Sequence, residues 1–161
     1  CESGFGLGHC HVGHLLVEDG FRLLRLLQCG LVQACIQALH VQVARPFGHH
    51  QRGHAVGDSA LRLTAKTLKH STRDSDIVAR FGGDEFAILL PNSARSDCVD
   101  ICSSIIKNID EAMSAENYDI TASIGSKTFD TDPDSPSSAI KEADKALYSA
   151  KEQGRNRFVC A

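Results

Sequence analysis

An excess of basic charge is the first thing this 161-residue chain lacks: 17 Lys and Arg stand against 20 Asp and Glu, a formal net charge of −3. That balance leaves no electrostatic footprint for a nucleic acid partner, although a mononucleotide needs only a few local donors. Long apolar runs are also missing. The most apolar stretch, residues 23–43, is interrupted by Arg25, Gln28, Gln33, Gln37, His40 and Gln42, which excludes a membrane span there. No basic segment precedes a short apolar one, so a signal peptide is not expected, and a first residue of Cys1 rather than Met suggests a truncated or processed start. Seven cysteines make an odd number with no C-x-x-C pair. Reduced thiols in a cytoplasmic protein are therefore expected. No internal repeat appears, and the length suits one domain with one core.

Residues 1–52 lack more than the rest: they hold no Lys, Asn, Thr, Tyr or Met, yet carry six of the eight histidines and four of the seven cysteines. Leu16, Leu23, Leu27 and Leu31 fall at helical intervals and suggest a helix within 15–39, weakened by Gly20 and Gly30. Leu39, Val41 and Val43 alternate with His40 and Gln42, as in a half-buried strand. His9-Cys10-His11-Val12-Gly13-His14 offers zinc-ligand chemistry, but a second ligand pair at a standard spacing is missing. A fortuitous His/Cys-rich tract is the preferred reading there, and His49-His50 reads as a polar turn.

From Asp58 the pattern becomes regular. Ala60, Leu61, Ala65 and Leu68 make one face of a helix ending near His70, and Arg73–Asp76 is a polar turn. Val99, Cys102, Ile105, Ile106, Ile109 and Met113 stripe a second helix starting at Ser96. Residues 120–129 read as a strand, and 130–138 as a loop able to supply a helix cap. Ile140, Ala143, Leu147 and Ala150 stripe a third helix stopped by Gly154, and 157–160 closes as a strand. Helices alternating with strands predict an α/β domain with a mixed sheet.

The chain turns on Arg80-Phe81-Gly82-Gly83-Asp84-Glu85-Phe86. Two apolar runs, 76–79 and 86–90, flank a glycine pair and predict a β-hairpin. Strand neighbours point to opposite faces, but at a turn both Asp84 and Glu85 can reach forward. Paired acids beside bare backbone suit a divalent cation carrying a phosphate. A solvated acidic turn is the alternative for so short a motif.

These residues resemble the GGDEF family of diguanylate cyclases. The resemblance runs from Gly53 to Val159. It includes Gly53-His54-Ala55-Val56-Gly57-Asp58, Arg73-Asp74-Ser75-Asp76, Gly82–Phe86, Thr121-Ala122-Ser123-Ile124-Gly125, Ala143-Asp144-Lys145-Ala146-Leu147-Tyr148, and Ala150-Lys151 with Gly154-Arg155-Asn156-Arg157. It implies an α+β, ferredoxin-like five-stranded sheet akin to the palm of polymerases and adenylyl cyclases. It also implies condensation of two GTP into cyclic di-GMP with Mg²⁺ or Mn²⁺, across a symmetric homodimer. By the same resemblance Asp84 and Glu85 are the catalytic and metal positions, and Gly82 and Gly83 lie along the substrate. Asp58 reads guanine, with a helix N-cap as its alternative. Lys151 and Arg155 hold the terminal phosphates, with a solvated helix end as theirs. Arg73 and Asp76 match the inhibitory site at which product restrains the enzyme. Neither nucleic acid nor membrane contact is implied for the domain itself, which can be the cytoplasmic output of a larger sensor.

The resemblance stops at Gly53. Family members carry D-x-D-x-F-K-x-x-N-D just before it; counting back without gaps places Val41 and Val43 at the two leading aspartates and Arg45, Pro46, His49 and His50 at the other positions named. The expected division is therefore an atypical segment, 1–52, degenerate or translated out of frame, and a GGDEF domain, 53–161. An impaired cyclase is the primary reading, and a cyclic di-GMP or GTP receptor the alternative.

Overall fold

The computed structural model describes residues 36–44, 54–130 and 136–161. The His/Cys tract at 9–14, the His49-His50 pair and nearly all of the expected 15–39 helix lie outside them. Strand β1 (Ile36–Ala44) leads into helix α1 (His54–His70), then strands β2 (Ile77–Arg80) and β3 (Glu85–Pro91). Helix α2 (Arg95–Ala115), strand β4 (Thr121–Phe129), helix α3 (Pro136–Glu152) and strand β5 (Phe158–Cys160) complete the order. The five strands lie in the order β2-β3-β1-β4-β5. All neighbours are antiparallel except β4 and β5. This is the ferredoxin-like sheet that the resemblance implies.

The central strand thus comes from the stretch before Gly53. Its alternation decides its two faces. Leu39, Val41 and Val43 join Phe86, Ile88, Leu90 and Ile124 in a core covered by α1 and α2. Ala38 joins Ala79, Ala87 and Leu89 in a second core of small residues against Ala139, Ile140 and Ala143 of α3. A period of two places these sets on opposite faces. The helix expected within 15–39 is corrected at its end, because Ile36–Leu39 belongs to β1. The β-branched alternation of the segment outweighs the leucine spacing upstream.

The other elements follow their sequence signals closely. The α2 stripe runs through Cys98, Cys102, Ile105, Ile109 and Met113, and Val99, expected in it, is 48% exposed. The stripe fits i, i+4, i+7 steps from Cys98 rather than from its neighbour. Helix α3 buries Ile140, Ala143, Leu147 and Ala150 as its pattern predicts. It stops where Gly154 (φ 111°), Arg155 (φ 60°) and Asn156 (φ 46°) turn left-handed. There the Gly154 N–H donates to the Lys151 carbonyl and the Arg155 N–H to that of Ala150, which satisfies carbonyls the helix end leaves open.

One glycine fixes the spacing of the layers. Gly125 on β4 faces α3, and a Cβ there would lie 2.1 Å from Leu147 N and 2.2 Å from the Ala143 carbonyl oxygen. Only a residue without Cβ lets the helix backbone come this close to the sheet. No helix among the described residues is long and apolar enough to cross a membrane.

Candidate active site

The hairpin between β2 and β3 is closed by main-chain bonds from the N–H groups of Phe81 (2.8 Å) and Gly82 (3.2 Å) to the Glu85 carbonyl. Arg80 bends over the tip, donating from Nε to the Gly82 carbonyl (3.2 Å) and from Nη2 to that of Gly83 (2.7 Å). Its charge is exposed, and it holds the glycine pair in shape. The tip is also tied to the central strand, where the Val43 N–H donates to the Asp84 carbonyl at 3.1 Å.

The two acids have different partners. Asp84 accepts from the Gln42 side-chain amide at 3.3 Å on each carboxylate oxygen and lines a cleft of about 270 Å³ with Val43, Ala44, Gly57, Ala60, Leu61 and Ile120. Glu85 instead folds back towards Gly82, whose missing Cβ would lie 2.8 Å from its carboxylate. Its other oxygen is 3.8 Å from Nε2 of His40. The acids therefore do not present a shared pair to one ligand, as the sequence suggested they would at a turn.

His40 is a residue that motif matching passes over. It is 4% exposed, lies under Phe81 in an edge-to-face contact of 6.4 Å, and sits between two acids. Its Nδ1 is 3.1 Å from an Asp144 carboxylate oxygen. Neither ring nitrogen meets hydrogen-bond geometry, so the contacts are close approaches rather than directed bonds. The alternation of 39–43 already placed His40 and Gln42 on one face. What it lacked was the register that sets Gln42 opposite Glu85.

Asp58 is exposed on α1, four residues past its start at His54. A residue that far inside the helix cannot be the N-cap, so the capping alternative falls away. Gly57 precedes it on the cleft wall, and a Cβ there would meet nothing within 4 Å. Glycine inside a helix costs about 1 kcal/mol relative to alanine. Packing does not require it here, and its absent side chain keeps the cleft open. At the Val43 end of the sheet, beyond the start of β5, Lys151 is half-buried on the last turn of α3, and Arg155 is exposed on the left-handed turn beyond it.

The Arg73–Asp76 turn is built around a buried carboxylate. Asp76 is 4% exposed and accepts from the Arg73 N–H at 2.7 Å and the Ser75 hydroxyl at 3.3 Å. Its own N–H donates to the Arg73 carbonyl. The guanidinium of Arg73 is left exposed. Asp76 thus shapes the turn that displays Arg73.

The chemistry of the cleft can be set against a divalent cation. Mg²⁺ is commonly held by one or two carboxylates, with waters and substrate phosphates completing its shell. Asp84 supplies one carboxylate, and no second lines the cleft among the described residues. The gap-free alignment put the leading aspartate at Val41. The structure instead pairs Val41 with Phe86 in the closed core, while Val43 borders Asp84 at the cleft. The strand pairing sets the nearer position two residues later.

A five-stranded ferredoxin-like sheet, with an acidic hairpin tied to its central strand beside a cleft that Gly57 helps to line, defines the class to which this domain belongs. The family model described as diguanylate cyclase, GGDEF domain, matches residues 49–157, and the chain belongs to this family. It is 39% identical over 110 residues to diguanylate cyclase A of Treponema denticola, covering 66% of this chain and 30% of that protein. With the response regulator PleD of Caulobacter vibrioides it shares 34% over 112 residues, 66% of this chain and 25% of that protein. It therefore spans less than a third of the length of these relatives. Among solved structures, the GGDEF domain of TpbB from Pseudomonas aeruginosa superposes with a TM-score of 0.73 at 31% identity, covering 91% of this chain and 96% of that one. The coiled coil and GGDEF domain of DgcB from Caulobacter crescentus, solved with cyclic di-GMP, gives 0.68 at 26% identity, covering 88% and 78%.

Proposed function

We propose that this chain is a cyclic di-GMP-forming GGDEF domain whose turnover is impaired. Two GTP would be joined with release of two pyrophosphates, one nucleotide per domain of a symmetric homodimer. Asp84 is the residue that would hold Mg²⁺ or Mn²⁺ at the cleft, and Glu85 the neighbouring acid. Bound there, the cation would neutralise charge developing on the reacting phosphate. Gly82 and Gly83 leave room for the nucleotide beside the hairpin, and Asp58 can accept from the guanine N1–H and exocyclic amine. Lys151 and Arg155 supply a point charge and a planar fork for the terminal phosphates. The domain division is carried forward in the same sense: residues 1–52 hold the departure from the family pattern and 53–161 its motifs.

The observation that carries the impairment is the cleft itself, with one carboxylate, Asp84, and a valine where a second would help. Losing a group that stabilises the transition state costs about 10²–10³ in rate. The expected turnover is therefore lower by about that factor than in a relative with the full D-x-D segment. The exposed guanidinium of Arg73, on a turn formed independently of the cleft, favours a second reading as a cyclic di-GMP receptor. Incubating the protein with GTP and Mg²⁺ and following pyrophosphate separates the two. Slow release abolished by Asp84→Ala supports the cyclase, and cyclic di-GMP binding with no release supports the receptor. Release at a rate equal to an intact relative's would refute the impairment.

A further inference from the structure

Three thiols outside the candidate active site meet where α2 crosses the end of the sheet. Cys98 and Cys102 are one turn apart on α2, and Cys160 closes β5. The Cys98 sulfur is 3.8 Å from that of Cys102 and 2.8 Å from that of Cys160. The Cys98 sulfur is also hydrogen-bonded to the Ser126 hydroxyl on β4 at 2.8 Å. Cys98 and Cys102 are fully buried, whereas Cys160 is partly open.

Two chemistries fit three clustered sulfurs, and the distances choose between them. A thiolate metal centre needs bonds of about 2.3 Å to the ion, which in a tetrahedron keeps sulfurs about 3.8 Å apart. Cys98 and Cys102 satisfy that spacing. Cys98 and Cys160, an ångström closer, do not. A disulfide needs about 2.05 Å, so this pair has less than 1 Å to close. We propose that Cys98 and Cys160 form a reversible disulfide when the domain meets a two-electron thiol oxidant such as hydrogen peroxide, stapling α2 to β5.

The step balances. The Cys98 thiolate takes one peroxide oxygen as the O–O bond breaks, and the other leaves as water after protonation. The Cys160 sulfur then attacks Cys98, breaking its S–O bond, and the proton from Cys160 leaves with that oxygen as a second water. Two thiols and one peroxide give one disulfide and two waters. The surroundings assist the order of events. Hydrogen bonds from Cys102 and then Cys160 hold the Cys98 thiol down at about 3, against the opposing effect of burial. Cys102, pushed up by its bonds to Cys160 and Cys98 and by burial, stays protonated as a donor to that thiolate. A cross-link from Cys98 to Cys102 would strain one helical turn, so Cys160 is the partner. Since β5 begins directly after the turn bearing Arg155, the staple would also restrain that turn.

The full chain, treated with stoichiometric peroxide, is digested without reductant and mapped by mass spectrometry. The expected product is one peptide pair joining Cys98 to Cys160, two hydrogens lighter than the reduced pair, lost on dithiothreitol and accompanied by a rise in Tm of several degrees. Cys102→Ala should retain the cross-link and Cys160→Ser should lose both the cross-link and the Tm rise. Cys98 found free, linked to another cysteine, or oxidised only to sulfinic acid would overturn the proposal. So would stoichiometric zinc in the purified protein that protects all three thiols.

Discussion

Replacing Gly125 with alanine tests how far the layers of this fold set its site. The added Cβ would meet the backbone N of Leu147 at 2.1 Å, the Ala143 carbonyl oxygen at 2.2 Å and Leu147 Cα at 2.7 Å. These are helix backbone atoms, which no rotamer change moves. To restore ordinary contact, α3 must lift from β4 by at least roughly 1.3 Å, a gap that forfeits no less than a quarter to a half of each contact's attraction. Overpacking a core typically costs about 1–3 kcal/mol, and an obstacle made of backbone places this change at the upper end. About 3 kcal/mol corresponds to a fall in Tm of roughly 6–12 °C for a domain of this size. Helix α3 also carries Asp144, against His40, and Lys151. A displacement of about 1 Å at groups that position substrate can cost about 10² in rate. Thermal and urea melts read the first effect, and pyrophosphate release at saturating GTP reads the second. A Gly125→Ala protein with unchanged Tm and urea midpoint would refute the claim that this glycine sets the spacing.

Three further outcomes follow from the site. Arg73→Ala should weaken cyclic di-GMP binding by about 1–3 kcal/mol, the range for a lost bidentate guanine contact, with little change in Tm; equal affinity by calorimetry would remove Arg73 from the binding role. Asp76→Ala should instead lower stability by about 1–2 kcal/mol, because it strands the Arg73 N–H that its carboxylate now accepts from, and a urea melt checks it. Val43→Asp should raise Mg²⁺-dependent pyrophosphate release by about 10², whereas Val41→Asp, placing an unpaired charge in the closed core, should destabilise by about 3–5 kcal/mol. Activity rescued at 41 and not at 43 would contradict the register seen here.

Much of this architecture is legible from periodicity alone. The stripes of α2 and α3 predict their burial within one residue, because a helix packed on a sheet must keep one apolar face. The hairpin is readable because glycines and flanking β-branched runs leave few alternatives. The central strand was half legible. Its alternation from Leu39 to Val43 was clear, but without the usual aspartates nothing anchored its start or its register. The register decides that Gln42, not a carboxylate, meets Asp84, and that Val43 rather than Val41 borders the cleft. The thiol cluster was illegible for another reason. Cys98 and Cys102 share a helix face, but Cys160 joins them only through the parallel pairing of β5 with β4, a contact that local pattern does not encode.

The way β1 holds the hairpin explains how fold and chemistry can separate in one domain. The strand is fixed by its pairing with β3 and β4, by the Val43–Asp84 main-chain bond and by apolar contacts of Leu39, Val41 and Val43. None of these needs an acidic side chain. Valine at 41 improves the buried face on which an aspartate would need a partner or a cation. Gln42 then supplies an uncharged donor to Asp84 at 3.3 Å. Aliphatic side chains at 41 and 43 are thus favourable for the sheet. The chain keeps the family's fold together with an exposed Asp58 on α1 and an exposed Arg73 on its turn. Fold membership accordingly does not by itself fix activity, and the cleft beside Asp84 is where that question is tested.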